Sequence, residues 1–184
     1  MAYTVQDDNG LVADANAYFT VAEFKTYCLD RGYATVFDDD DITIAGTVYT
    51  NASIEKSGVR GTDYLDQRFR YNGTRLQREE QTTQFPRSGC YNADGDYMNG
   101  VVRPVKRAAM EYALFDLTGT ELNPNPSQDE SGRVVESLFE RVGPIATSKK
   151  FASNAAFAMP IYPRADRILT MEGLVQKTNS TRRG

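Results

Sequence analysis

Two stripes of small residues set the tightest constraint on how this chain folds. One runs through Ile54, Gly58, Gly61, Leu65 and Phe69, the other through Val105, Ala108, Ala109, Tyr112 and Ala113. Both recur at helical spacing. Two glycines inside a helix lower its propensity by roughly 1 kcal/mol each against alanine. That loss is offset where a second helix must approach closely, and the narrow alanine-rich stripe suits the same close approach. The spacing therefore predicts a helix over 53–69 and another started by Pro104 and stopped by Gly119. The alternative for the first of these is a shorter helix beginning near Thr62. On the later helix Arg107 and Glu111 stand at i,i+4, a pairing worth a few tenths of a kcal/mol.

A further helix is predicted over 20–31. Thr20 at the N-cap and Glu23 three residues on form a capping box, Phe19 and Phe24 fall where a hydrophobic staple forms, and Gly32 suits the stop. Val21, Phe24 and Cys28 share one face of it. The run "FDDDD" repels itself and favours water, and "ITIAGTVYT" after it reads as a small hairpin around Gly46. Residues 70–100 read as a long loop, and "GTELNPNPSQDESG" as a linker. "RVVESLFERVGPIATSKKF" breaks at Gly143-Pro144 into two strands, and a short helix is expected at 165–174 before a basic tail. The expected fold is mainly α: a small helical bundle with a β-containing extension and extended N- and C-terminal arms. Its divisions are 1–18 (N-terminal arm), 19–119 (bundle core), 120–162 (linker and extension) and 163–184 (short helix and tail).

The 184 residues are 40% hydrophobic and 11% aromatic, enough for a real core. The net charge of −4 argues against a general polyanion binder, but it is uneven. Residues 1–50 carry −7, 51–110 carry +3, 111–150 carry −3 and 151–184 carry +3. Histidine is absent, which removes Ser-His and Cys-His nucleophile pairs and the commonest transition-metal ligand. Neither a Walker loop nor G-x-G-x-x-G occurs. No enzyme activity, cofactor or metal is expected, and the one enzyme class left open is a carboxylate-only hydrolase. The aspartate run and "NADGDYMNG" each lack the spaced ligands of a calcium loop. Cys28 and Cys90 form no CxxC pair, and no signal peptide or long apolar run occurs, so a soluble protein of a reducing compartment, away from membranes, is expected.

Three groups of residues are candidates for function. The nonapeptide "QTTQFPRSG", Gln81–Gly89, reads as a loop in which Phe85 plugs into the bundle, Pro86 sets the exit direction and Arg87 is thereby aimed. Its target would be a carboxylate of the same or a neighbouring subunit, such as Asp30 or the 38–41 run. The alternative is that Phe85 and Pro86 anchor the loop and Arg87 is merely solvated. Arg68, Arg70, Arg75, Arg78, Arg103, Lys106 and Arg107 are concentrated in the basic middle and are candidates for phosphate contacts in a DNA channel. The alternative is surface charge balanced by Asp63, Asp66, Glu79 and Glu80. Ile168, Leu169, Met171 and Leu174 give the terminal helix an apolar side, to dock on a partner or to fold back on its own bundle.

The order of these elements resembles the phage head–tail connector (adaptor) proteins, in the group labelled DnaT-like ssDNA-binding. The resemblance is carried by "ADANAYFTVAEFKTY" from Ala13, "TDYLDQRFRYNG" from Thr62, "QTTQFPRSG" from Gln81, "VVRPVKRAAMEYAL" from Val101, "ERVGPIATS" from Glu140 and "PRADRILTMEGL" from Pro163. The chain departs from the pattern with Phe85 in place of a tryptophan, Thr83 in place of an apolar residue, and a longer "DDDDITIAGTVYT". The resemblance implies a virion protein of the head–tail junction, made in the bacterial host cytoplasm. It implies a helical bundle that joins neighbouring copies of itself in a twelve-fold ring beneath the portal protein. The ring extends the DNA channel used in genome ejection, meets packaged double-stranded DNA transiently, and gives tail or stopper proteins a platform. The group's label supplies the alternative, a single-stranded DNA-binding protein, which calls for a basic groove with stacking aromatics. Tyr64, Tyr71, Phe85, Tyr91 and Tyr97 lie near the arginines in sequence, although Tyr64 and Phe85 read better as core.

Overall fold

The computed structural model describes residues 2–124, 135–141, 146–151 and 159–176. Thr20 caps the first helix, α1 (Val21–Asp30), through the capping box read from the sequence: its hydroxyl accepts from the Glu23 amide, and the Glu23 carboxylate accepts from the Thr20 amide. The staple forms as well, with the Phe19 and Phe24 rings stacked 5.8 Å apart. Three strands follow, β1 (Ala34–Phe37), β2 (Asp41–Ile44) and β3 (Thr47–Thr50), paired antiparallel in that order. Ala45 and Gly46, both at positive φ, make the tight turn between β2 and β3. Thr50 ends β3 and caps α2 (Asn51–Arg68), so sheet and helix join without a linker.

The close helix approach expected along the glycine stripe occurs at one of its two glycines. A Cβ on Gly61 would lie 2.7 Å from the Ala113 amide nitrogen and 3.0 Å from the Ala109 carbonyl oxygen of α3 (Arg103–Leu117). Gly58 faces elsewhere, against the Tyr3 hydroxyl and the Phe19 ring. One glycine thus admits a neighbouring helix and the other admits the N-terminal segment. Residues 2–18 are laid over the body, with a Val5–Ala17 bridge and a bond from the Tyr3 hydroxyl to the Phe19 carbonyl. The last helix, α4 (Pro163–Met171), packs on α3 and buries Ala165 and Leu169, while Leu174 is buried just beyond its end.

The mainly α expectation needs correction, because the fold is a mixed α and β one. The described residues form four helices and seven short strands in three antiparallel sheets. The aspartate run does not lead into an isolated hairpin. It is the turn between β1 and β2, and Ile42 and Ile44 put the sheet into the core. The long loop also carries a ribbon, β4 (Thr74–Arg75) with β5 (Arg87–Ser88). In the extension, β6 (Val135–Arg141) and β7 (Ala146–Phe151) pair antiparallel, as two strands were expected there. The described residues fall into two compact units, one within Met1–Leu122 and Ile161–Gly184, the other within Asn123–Pro160. Most of the predicted linker, the Gly143-Pro144 break and the basic tail from 177 lie outside the described residues.

Gly61→Ala is expected to destabilise the chain by about 2–3 kcal/mol or more, because α3 backbone atoms have nowhere to yield. Chemical denaturation measures this directly. Gly119→Ala, with open space around its Cβ position, meets no such neighbour and loses only the ease of its positive φ.

Candidate nucleic-acid interface

The nonapeptide is built into the body by polar bonds. Phe85 is 1% exposed and meets the Tyr71 ring edge-on at 5.0 Å. The fully buried Gln81 side chain donates to the Thr83 and Pro86 carbonyls and accepts from the Gln77 amide. Thr83, polar where the resemblance called for an apolar side chain, accepts from the Gln6 amide and donates to the Phe85 carbonyl. A second clamp comes from α2. The Tyr18 hydroxyl donates to Asp66 Oδ1 at 2.6 Å and accepts from the Phe85 amide, while the Gln84 amide donates to Asp66 Oδ2 at 2.9 Å. Burial pushes the Asp66 carboxyl up to about 7, against the smaller lowering effect of these two bonds.

Arg87 is aimed, but at carbonyls. Its Nε donates to Asn72 O at 2.8 Å, Nη2 to Gly73 O at 2.7 Å, and Nη1 to the carbonyl and side-chain oxygens of Gln84. The expected carboxylate partners lie elsewhere: Asp30 lines the groove between α1 and α3, and the 38–41 run bonds to its own backbone. Asp38 caps the Asp40 and Asp41 amides, which hold its carboxyl below the usual range. Buried Lys25 donates to the carbonyls of Asp38 and Asp39, so the acidic turn is held from beneath.

The seven cations of the basic middle are dispersed by folding. Arg68 is clamped to Asp166 of α4 through Nε and Nη2, the shortest bond being 2.7 Å, and the Tyr112 hydroxyl donates to the same carboxylate. Burial works against the charged form of Arg68, and the Asp166 bond and charge outweigh it to raise its pKa. Arg70 is exposed and its carbonyl accepts from the Gln176 amide. Arg75 and Arg78 lie at the β4–β5 ribbon beside Arg87. Arg103, Lys106 and Arg107 line a groove of about 420 Å³ between α1 and α3, together with Arg31. Sequence reading missed Arg31 because it lies in the acidic first third. The Arg31 guanidinium rests 3.6 Å from the centre of the Tyr27 ring, four residues back, and that spacing was the available signal. The expected Arg107–Glu111 pair does not form. Glu111 is buried and accepts from the Tyr27 hydroxyl at 2.6 Å, with Arg164 Nε as its ion-pair partner at 2.6 Å.

Of the apolar candidates on the terminal helix, Leu169 and Leu174 are buried in the chain's own core, Ile168 is half-buried and Met171 is 78% exposed. Among the aromatics, Tyr64, Tyr71 and Phe85 are core, whereas Tyr91 and Tyr97 are each 52% exposed and pair edge-on at 5.5 Å. Both free cysteines are buried, and burial pushes the Cys28 thiol up to about 12.

The family model described as "Putative DnaT-like ssDNA binding protein" matches residues 1–183. The chain belongs to this DnaT-like family. No curated protein and no solved structure matches it. The family description directs attention to cations that stand free of carboxylates. In this member of the DnaT-like family, Arg103 of the α1–α3 groove and the ribbon arginines make no ion pair among the described residues, whereas Lys106 pairs with Glu23 and Arg68 is a structural clamp.

The folded chain binds the Asp66 proton more tightly than the unfolded chain does, so stability from this group is gained as pH falls from about 7 toward 3.8 and is lost as pH rises through about 7. Thermal melts across this range are expected to show that slope. Asp66→Asn should flatten it, at a cost of about 1–3 kcal/mol for the bond from Tyr18 or Gln84 that an amide cannot accept.

Proposed function

We propose that the chain binds single-stranded DNA through the groove between α1 and α3. The observation that carries this reading is the gathering of four cations, Arg31, Arg103, Lys106 and Arg107, against only Glu23 and Asp30. Lys106 is neutralised by Glu23 at 2.9 Å, whereas Arg103 is exposed and makes no ion pair among the described residues. Ala22, Tyr27 and Met110 give the groove an apolar floor. The face of Tyr27 is covered by Arg31, so the groove offers backbone electrostatics rather than base stacking. Binding of this kind tolerates any sequence and weakens steeply with salt. Titration of oligothymidylate at several salt concentrations tests it. Arg103→Ala and Arg107→Ala should each reduce the slope of log K against log salt by about 0.7, the value of one single-strand phosphate contact. Absence of binding at low salt would refute the reading.

A second reading is the head–tail adaptor: a ring of copies beneath a portal at the virion's head–tail junction, offering a channel for double-stranded DNA and a platform for tail or stopper proteins. The ordered set of sequence motifs favours it, as do Ile161 and Met171, 72% and 78% exposed at either end of α4. Neither reading calls for catalysis, a cofactor or a membrane. Light scattering separates the two. A chain that forms a large complex only when mixed with portal is an adaptor, and one that ignores portal but shifts with oligothymidylate is a single-strand binder.

A further inference from the structure

We propose that the hollow beside the β4–β5 ribbon is an oxyanion site that takes a phosphate group. It encloses about 410 Å³ and is lined by Gly73, Thr74, Arg75, Arg78, Gln84 and Arg87, three guanidiniums with no carboxylate among them. Two of the three are locked in place. Arg75 Nη1 donates to the Gln81 carbonyl at 2.8 Å, and Arg87 is held by Asn72, Gly73 and Gln84. These acceptors are neutral dipoles, so they orient the guanidiniums without cancelling their charge.

Burial, with the nearby charge of Arg75 adding to it, holds the Arg87 pKa below the usual guanidinium range. That is the mark of a desolvated cation lacking a counter-ion. Asp66 lies close enough to Arg87 to feel its charge, but burial pushes its carboxyl up to about 7, so near neutral pH it offsets the Arg87 charge only in part. Arg78 stands exposed at the rim and makes no ion pair among the described residues, although it also lines an adjoining hollow together with Glu79 and Glu80. Most Arg87 donors already serve carbonyls, so it contributes mainly charge, while Arg78 and the free N–H groups of Arg75 can meet the several acceptor oxygens of a tetrahedral anion. The Thr74 hydroxyl and the side-chain NH2 of Gln84 add uncharged donors to the lining.

The site is independent of the α1–α3 groove, and the test keeps them apart. Melting of the full chain is followed in inorganic phosphate and in chloride of matched ionic strength, and phosphate binding is titrated calorimetrically. Phosphate should raise the melting temperature beyond chloride. Arg78→Ala, an exposed substitution, should weaken phosphate binding about tenfold, one charge-assisted contact. Arg103→Ala in the groove should leave the phosphate response intact. Equal shifts in the two salts, or an undiminished phosphate response in Arg78→Ala, would overturn the site. Oligothymidylate then identifies the source. Displacement of phosphate by it marks a nucleic-acid backbone site, and failure to displace marks a free or terminal phosphate; the site stands in both cases.

Discussion

The rest of the larger unit depends on the passage of α3 across Gly61. With no side chain at that position, the backbone of Ala109 and Ala113 comes within reach of α2. That approach sets the Tyr64 and Tyr112 rings 5.0 Å apart and brings the end of α2 close enough for Arg68 and Tyr112 to share the Asp166 carboxylate of α4. Each later contact presupposes the earlier one. A wider helix pair would leave Asp166, a buried acid, without its two partners, and an unpaired buried charge is strongly unfavourable.

Around this helical pair, long stretches of chain run without regular ladders, and side chains take over the work of satisfying the backbone. Gln81, Thr83, Asp66, Tyr18 and Arg87 supply or receive bonds for the segment 72–87, and Lys25 does so for the carbonyls of the aspartate turn. Buried backbone groups must be paired somewhere. Here that need consumes polar residues which a sequence reader assigns to solvent or to a partner. It also has an electrostatic consequence. An arginine that satisfies carbonyls keeps its full positive charge, so the ribbon presents concentrated cationic character in a chain that is acidic overall.

The same accounting separates structural from available cations. Arg68 sits in a clamp with both partners shielded from water. Arg103 and Arg78 sit at rims without ion-pair partners among the described residues. The second kind is the one on which the proposed single-strand binding rests. The exposed Tyr91–Tyr97 pair, following Cys90 in sequence, is the nearest the described residues come to an open aromatic platform.

Local chemistry was legible in the sequence by itself. The capping box of α1, the staple of Phe19 and Phe24, the turn at Gly46, the paired strands of the extension and the close-packing stripes of α2 and α3 all depend on residues a few positions apart. Backbone sterics and hydrogen bonding settle such features within one or two turns of chain. What only the tertiary structure decided are pairings across long separations. Arg68 meets Asp166 at a distance of 98 residues along the chain, and Tyr27 meets Glu111 at 84. The assignment of Ile42 and Ile44 to the core, which makes the fold mixed rather than mainly α, is of the same kind. Arg31 joining Arg103 and Arg107 in one groove is another. Charge and hydrogen-bonding capacity are visible in a residue's identity, but the partner that uses them is chosen by packing, and packing brings together segments whose sequence carries no mark of one another.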